Sequence, residues 1–150
     1  MAVYIGINGV QSLLNRQSAA TNASIPCPRG NVLHADGTGV YTLRGNTPNC
    51  FARYRVLGKA NIAVPTGGTV GPIAMAITIA GEVYEPSRFI VTPAAVDEFN
   101  GVVCPAIITV PRGCCTQIGF EPVPASNDPT VAPAAVVNSQ NIYVEIERIA

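Results

Sequence analysis

Residues 59–85, KANIAVPTGGTVGPIAMAITIAGEVYE, contain an apolar strand pattern, the turn sequence Val-Pro-x-Gly and a second strand pattern. Residues 106–121, AIITVPRGCCTQIGFE, repeat the same order. In each copy the proline removes a backbone donor and ends a strand, and the glycine that follows allows the positive φ of a tight turn. The repeat therefore predicts two corners at which a β-strand ends and the chain changes direction.

Side-chain size alternates within the strand patterns. Met75 and Ile77 belong to a series of large apolar residues whose intervening positions hold alanine or threonine, and Ile142, Val144 and Ile146 alternate in the same way near the C-terminus. Successive side chains of a strand point to opposite faces, so each series lies on one face. We predict that these five residues lie on a core side of their strands, and that the small face of residues 73–80 is closely covered.

The composition favours an all-β fold. Of 150 residues, 14 are glycine and 13 are proline, 48% are hydrophobic, and tryptophan is absent. About eight short strand patterns recur every ~8 to 12 residues, which is typical of an antiparallel sandwich or jelly roll. No amphipathic helix pattern of about ten residues separates them, which disfavours a parallel α/β fold. We predict an antiparallel β-sandwich over residues 51–150.

Residues 1–50 are less regular, and we predict an N-terminal arm with a few edge strands. A weak alternation covers residues 3–7, and residues 10–20 are compatible with one or two helical turns. Short strands are expected at residues 32–34 and 40–43, within a segment rich in asparagine, glycine and proline.

The charge pattern argues against nucleic acid and membrane as partners. Only 12% of residues are charged, and nine bases balance nine acids. Arg44, Arg53 and Arg55, interleaved with Phe51 and Tyr54, form one local basic patch, but a neutral chain gains little affinity from counterion release. Every apolar run is shorter than a membrane helix, and the first twenty residues lack the basic and apolar regions of a secretory signal.

Groups suited to catalysis are few, and we predict that the chain is not an enzyme. His34 is the only histidine. A nucleophilic pair of His34 with Cys27, Cys50 or Cys104 is the one arrangement to consider, but a single histidine in an irregular segment is usually a loop residue.

No metal site or cofactor site is predicted. Cys-x-x-Cys is absent, and the adjacent Cys114 and Cys115 point to opposite faces of a strand. The sequence DGTG at residues 36–39 lacks a second carboxylate at calcium-ligand spacing and is interpreted as a turn. The neighbouring carboxylates in residues 97–99 are interpreted as part of a solvated loop, because adjacent side chains do not converge on one substrate.

Residues 61–82, FIVTPAA at 89–95, residues 106–121 and the terminal NIYVEIERIA resemble the trimeric jelly roll of the tumour-necrosis-factor and complement-globular-head families, especially its bacterial and phage versions. The resemblance covers about 60% of the chain and rests on turn and strand patterns. It implies three sandwiches packed around a threefold axis with the terminal strands near that axis, so that Met75, Ile77, Ile142, Val144 and Ile146 serve the core or the trimer interface.

The whole chain also resembles the small decoration, or cement, proteins of tailed-bacteriophage heads. That resemblance implies a structural virion protein, a homotrimer that is assembled in the host cytoplasm and binds the major capsid protein on the outer head surface. It implies capsid contacts through the arm, for which the candidates are Val3, Tyr4, Ile5, Leu13 and Leu14. The alternative is a receptor- or glycan-binding head of a fibre or surface spike, with its site in the loop at residues 122–138 or between subunits.

Overall fold

The computed structural model describes residues 2–6, 9–25, 31–113, 115–126, 128, 130, 132, 134 and 136–150. Within these ranges the chain forms two antiparallel β-sheets and a single 3-10 turn at Glu85–Ser87. None of its described segments is a helix long and apolar enough to cross a membrane.

Each sheet contains six of the described strands. Across sheet one the order is β10 (Asn100–Pro111), β6 (Phe51–Ala63), β12 (Val136–Arg148), β1 (Ala2–Ile5) and β3 (Ala23–Ile25), with β2 (Gln11–Leu14) also paired to β12. Across sheet two it is β4 (Val32–Leu33), β5 (Tyr41–Leu43), β11 (Thr116–Val123), β7 (Ile73–Ile79) and β8 (Glu82–Val83), with β9 (Phe89–Val91) also paired to β7.

The two Val-Pro-x-Gly copies are corners between the sheets, as the repeat predicts. The first follows β6 in sheet one and leads to β7 in sheet two, and the second leads from β10 in sheet one to β11 in sheet two. Gly67 and Gly113 have φ values of 87° and 101°, a region that residues with a side chain rarely adopt. The repeated sequence thus performs the same crossover twice.

The core lies between the sheets. Tyr41, Tyr54 and Phe120 are its largest fully buried side chains. Gly58, in the middle of β6, leaves room for the Phe120 ring, because a Cβ at position 58 would lie 2.8 Å from a carbon of that ring. The five residues predicted to serve the core or an interface are all buried in this cluster: Met75, Ile77, Ile142, Val144 and Ile146.

The N-terminal residues differ from the predicted arm. β1 lies between β12 and β3, and β2 pairs with β12, so the described residues of this segment are part of the sandwich. The helical turns considered for residues 10–20 are wrong: Gln11–Leu14 is a strand whose partner, β12, lies more than a hundred residues away. The predicted strands at residues 32–34 and 40–43 are present as β4 and β5.

Candidate functional surface

The outer face of sheet one is open. Along β6 and β10 buried side chains alternate with exposed ones, and in β12 most of the outward residues are half-buried. Because a strand has a side-chain period of two, the buried series fills the core and the other series points away from it. We call this outward surface of β10, β6, β12 and β1 the open face.

The register aligns the side chains of the open face in rows across the strands. The first row joins Val103, Lys59, Tyr143 and Ile5; the second joins Pro105, Leu57, Glu145 and Val3; the third joins Ile107, Arg55 and Glu147. Read along the strands, the same residues form an apolar strip on β10, a basic strip on β6 and an acidic strip on β12.

The apolar strip is well exposed. Val103 and Ile107 are 44% and 49% exposed, and Pro105 between them is also exposed. β10 is the edge strand of sheet one, and Pro105 blunts that edge because proline cannot donate a hydrogen bond to an added strand. The addition of a further strand at this edge is therefore disfavoured.

The polar groups of the open face are only partly paired. Arg55 donates a hydrogen bond to the Glu147 carboxylate, and the Arg53 guanidinium lies 5.4 Å from the centre of the Phe51 ring. The Tyr143 hydroxyl donates to Glu145 Oε2 at 3.0 Å, and this bond raises the pKa of Tyr143.

Lys59 and Glu145 on the open face have no partner of opposite charge in the part of the chain that the structure describes. Among the described residues, neither the Lys59 ammonium nor the Glu145 carboxylate makes an ion pair. Lys59 stands beside Val103 in its row, and Glu145 stands beside Leu57. Both charges thus lie within a largely apolar part of the surface.

The outer faces of β7 and β11 in sheet two are covered by the chain itself, and their outward residues Ala74, Ala76, Thr78, Glu121 and Val123 are all buried. Residues 16–19 run along β11, with backbone hydrogen bonds from Arg16 to the Pro122 carbonyl at 2.9 Å and from Ala19 to the Phe120 carbonyl at 2.8 Å. Two side chains of this segment bind Glu121 of β11. Arg16 Nε contacts Glu121 Oε1 at 2.5 Å, and Ser18 donates to Glu121 Oε2 at 3.1 Å.

The small face of β7 is closely covered, as its sequence predicts. Ala74 and Ala76 are buried against Val123, with Val83 and Ala125 packed over them. The covering residues belong to the same chain, so this face does not need a second subunit.

His34 belongs to a buried aromatic cluster. Its ring stacks on Tyr41 at a centroid distance of 4.5 Å and lies 4.7 Å from Tyr4. Its Nε2 lies 3.1 Å from Thr21 Oγ1 and 2.9 Å from the Thr38 carbonyl oxygen. These contacts give the ring a structural role, tying β1 to the segment around β5.

Cys104 does not form a nucleophilic pair with His34. Cys104 is buried in the core, where its thiol donates to the Met75 carbonyl at 3.3 Å and burial raises its pKa to about 12. A thiol with this pKa remains protonated and unreactive at neutral pH. Cys50 is exposed at the start of β6. Cys27 and Cys114 lie outside the described residues.

The acidic motifs occupy turns. Within residues 36–39, Gly37 has a φ of 87°, and Thr38 closes the turn by donating to the Ala35 carbonyl at 2.7 Å. Asp97 accepts a hydrogen bond from Thr66, and its backbone N–H donates to the Val64 carbonyl at 2.8 Å, which braces the first corner. No group of three metal-ligating side chains occurs in the described part of the chain.

A cavity of about 740 Å³ lies at the end of the sandwich where β6 turns into β7. One wall is residues 64–73, and the other comes from the loop between β11 and β12, including Pro124 and Ala134. The lining is mostly small and apolar, with hydroxyl groups at Thr66, Thr69 and Ser126.

The predicted capsid-contact residues fall in different environments. Tyr4 and Leu13 are buried in the core, Val3 and Ile5 are half-buried on the open face, and Leu14 is 59% exposed. Burial makes the side chains of Tyr4 and Leu13 part of this chain's own packing. Their role in capsid binding stays a prediction.

The sequence analysis missed the residues that define the open face. They are Lys59, Val103, Ile107 and Glu145. The sequence NGVVCPAIITVP of β10 has apolar residues at both alternating positions, which is typical of a strand covered on both faces. That pattern is the signal in the sequence that the outer side of β10 is apolar.

Comparison with known proteins supports the fold. No protein-family model and no curated protein matches the chain. The globular domain of zebrafish complement 1qA protein is similar in structure, with a TM-score of 0.57, 12% identity and coverage of 95% of this chain and 92% of that chain. Eiger TNF from S. frugiperda is also similar in structure, with a TM-score of 0.56, 9% identity and coverage of 100% of this chain and 92% of that chain.

At these identities the likeness shows the fold alone. The predicted fold class, an antiparallel β-sandwich of the TNF-like jelly-roll type, is confirmed. The C-terminal domain of EclA, a sugar-binding protein, reaches a TM-score of only 0.41 at 13% identity, with coverage of 92% of this chain and 76% of that chain, and carries no argument.

Proposed function

We propose that this chain is a non-enzymatic structural protein that works as a homotrimer, with the open face of sheet one forming the contact between subunits. The observation that carries the proposal is the open face itself, which combines an exposed apolar strip with oppositely charged strips. Sheet two supports it by contrast, because the chain covers the outer faces of its strands β7 and β11 with its own side chains. The resemblance to the tumour-necrosis-factor and complement-head families, which implies threefold packing, supports the number of subunits.

The test is the oligomeric state of two matched variants. Ile107 on β10 and Ile90 on β9 are 49% and 50% exposed, so replacing either by glutamate changes a similar exposed surface. We expect sedimentation velocity to find trimers for the wild type and for Ile90→Glu, and dissociated subunits for Ile107→Glu. A monomeric wild type at high concentration would contradict the proposal.

The specific role we propose is decoration of a tailed-phage head, on the outer surface of the major capsid protein. The support is the resemblance of the whole chain to capsid decoration proteins. A trimer presents three copies of each contact, and linking weak contacts raises their effective concentration, so the assembly stays bound although each contact is modest. The bound trimers would reinforce the shell against the pressure of packaged DNA.

Among the predicted capsid-contact residues, Leu14 is the best one to change. It is 59% exposed, whereas truncation of the N-terminus would remove the buried Tyr4 and Leu13. We expect Leu14→Ser to remain trimeric but to bind undecorated heads more weakly, and Leu33→Ser on sheet two to bind normally. Cryo-electron microscopy of decorated particles should show trimers on the shell. Density on the tail alone, or on no particle, would contradict the role.

The cavity favours a second candidate, a receptor- or glycan-binding head. It lies in the loop region expected to hold such a site, and its volume of about 740 Å³ is within the range of small-molecule sites. The test is glycan-array binding by the purified protein and by Val70→Trp, which fills the cavity from its lining. Binding that is lost in this variant would favour the second candidate over capsid decoration.

A further inference from the structure

The strongest feature that the proposed function leaves unexplained is that Lys59 and Glu145 on the open face lack a partner of opposite charge. Lys59 on β6 and Glu145 on β12 make no ion pair among the described residues, although Arg55 and Glu147 on the same two strands bond to each other. Covering a partnerless charge with an apolar partner is costly. An open face that forms a subunit contact therefore needs a partner for each of these charges.

The open face divides into two complementary halves. The half formed by β10 and β6 carries the apolar strip and the cations, including Lys59. The half formed by β12 and β1 carries the carboxylates, including Glu145, beside the half-buried Val3 and Ile5. Each half thus offers apolar surface with one sign of charge, and the two signs are opposite.

Ring closure requires this kind of asymmetry. Subunits related by a threefold axis contact each other through two different patches, because each subunit faces one neighbour on either side. The two halves of the open face meet this requirement. When the positive half of one subunit covers the negative half of the next, the apolar strip on β10 meets Val3 and Ile5.

We propose that Lys59 of each subunit binds Glu145 of the next subunit, and that this ion pair sets the register of a head-to-tail trimer contact. The inference rests on the proposed function and specifies the contact that it uses. The Lys59 stem packs beside Val103 while its ammonium reaches across the contact. Tyr143 holds Glu145 in place through its hydroxyl, which leaves the other carboxylate oxygen for the neighbouring lysine.

Charge reversal tests the pair. Lys59→Glu and Glu145→Lys each place like charges opposite one another, and we expect the trimer dissociation constant to rise about tenfold or more in each. The double variant in one chain exchanges the two charges and should restore dissociation to near the wild-type value. Glu82→Lys, an exposed carboxylate on sheet two, is the matched control and should have no effect.

Mixing the two single variants tests the head-to-tail arrangement. A ring of three that contains both variants has attractive contacts between unlike subunits and one repulsive contact between like subunits, whereas a two-fold dimer of unlike subunits has attractive contacts only. We expect the mixture to form trimers of intermediate stability, measured by mass photometry across a dilution series. Dimers of wild-type stability would overturn the arrangement.

The outcomes separate this inference from the proposed function. A monomeric wild type overturns both. If the wild-type trimer is stable and Lys59→Glu leaves the trimer dissociation constant unchanged, only the ion pair is overturned. If Lys59 and Glu145 instead paired within one chain, the single variants would change urea unfolding but not trimer dissociation, and this result also overturns the inference. Circular dichroism of each variant verifies that it is folded.

Discussion

The outer faces of the two sheets differ in what covers them. In sheet one, buried and outward-pointing residues alternate along β10, and the outward-pointing residues are exposed to solvent. In sheet two, nearly every residue of β7 is buried, because Val83 of β8 and Ala125 from the loop beyond β11 pack over the alanines of its outer face. The same type of strand is thus covered within the chain in one sheet and exposed in the other.

The comparison explains why two similar ion pairs should contribute differently to the free energy of unfolding. Arg16 belongs to the segment at residues 16–19, and its partner Glu121 on sheet two has a side chain that is only 8% exposed. Arg55 and Glu147 lie on the open face, where their side chains are 57% and 33% exposed. Water screens the Arg55–Glu147 pair more strongly than the Arg16–Glu121 pair, so removing the Arg16–Glu121 pair should cost more unfolding free energy.

The largest expected effect comes from neighbouring leucines that point to opposite faces of β2. Leu13 is 2% exposed and Leu14 is 59% exposed. We expect Leu13→Ala to lower the free energy of unfolding by about 3 kcal/mol, since it leaves a cavity in the core. Leu14→Ala should change it by less than about 0.5 kcal/mol. Urea unfolding at one fixed subunit concentration measures both, and equal effects would mean that β2 is not anchored in the sandwich.

The second expected effect compares the two ion pairs. Arg16→Met leaves the Glu121 carboxylate buried without its cation, and we expect a loss of about 2 kcal/mol, less than for a fully buried pair because Arg16 is partly exposed. Arg55→Met removes the pair on the open face and should cost less than about 1 kcal/mol of unfolding free energy.

The same urea titration distinguishes the outcomes. If Arg55→Met were the more damaging variant for unfolding, the distinction between a covered and an open face would be wrong.

How much of this arrangement the sequence predicts depends on how far apart along the chain the contacting residues are. The corners at Pro65 and Pro111 were predictable, because proline and the following glycine act locally. The core positions of Met75 and Ile142 were predictable from alternation. The pairing of β2 with β12 and of Arg16 with Glu121 was not, because the partners lie over a hundred residues apart and no local pattern specifies them.

The open face was not predictable for a different reason. The strand β10 has apolar residues on both of its sides, so its composition does not say which side faces the core. Lys59 and Glu145 are ordinary charged residues in alternating strands. Only the register shows that they lie in neighbouring rows, and only the structure shows that neither makes an ion pair with a described residue.

The third expected effect concerns two glycines. A Cβ at Gly119 on β11 would lie 2.8 Å from Ser18 Oγ and 3.1 Å from Thr78 Oγ1, whereas at Gly101 on β10 the nearest atom is Asn61 Oδ1 at 3.5 Å. We expect Gly119→Ala to cost about 1 kcal/mol, because Ser18 must move away from Glu121. Gly101→Ala should be neutral or stabilise the fold by about 0.5 kcal/mol. A neutral Gly119→Ala would indicate that the covering segment is not closely packed.

The smallest expected effect is a change in the titration of one tyrosine. The hydrogen bond to Glu145 raises the pKa of Tyr143 because removing the phenolic proton would place two negative oxygens side by side, so the phenol stays protonated to higher pH than a free tyrosine. Glu145→Gln removes that repulsion and should lower the pKa of Tyr143.

Tyr41 is the internal control, since burial in the core raises its pKa and the substitution on the open face does not change its surroundings. Ring-carbon chemical shifts followed by NMR across the pH range report both residues. An unchanged Tyr143 titration would mean that Glu145 is held by something other than this hydroxyl, and the carboxylate would then not be oriented for a neighbouring lysine.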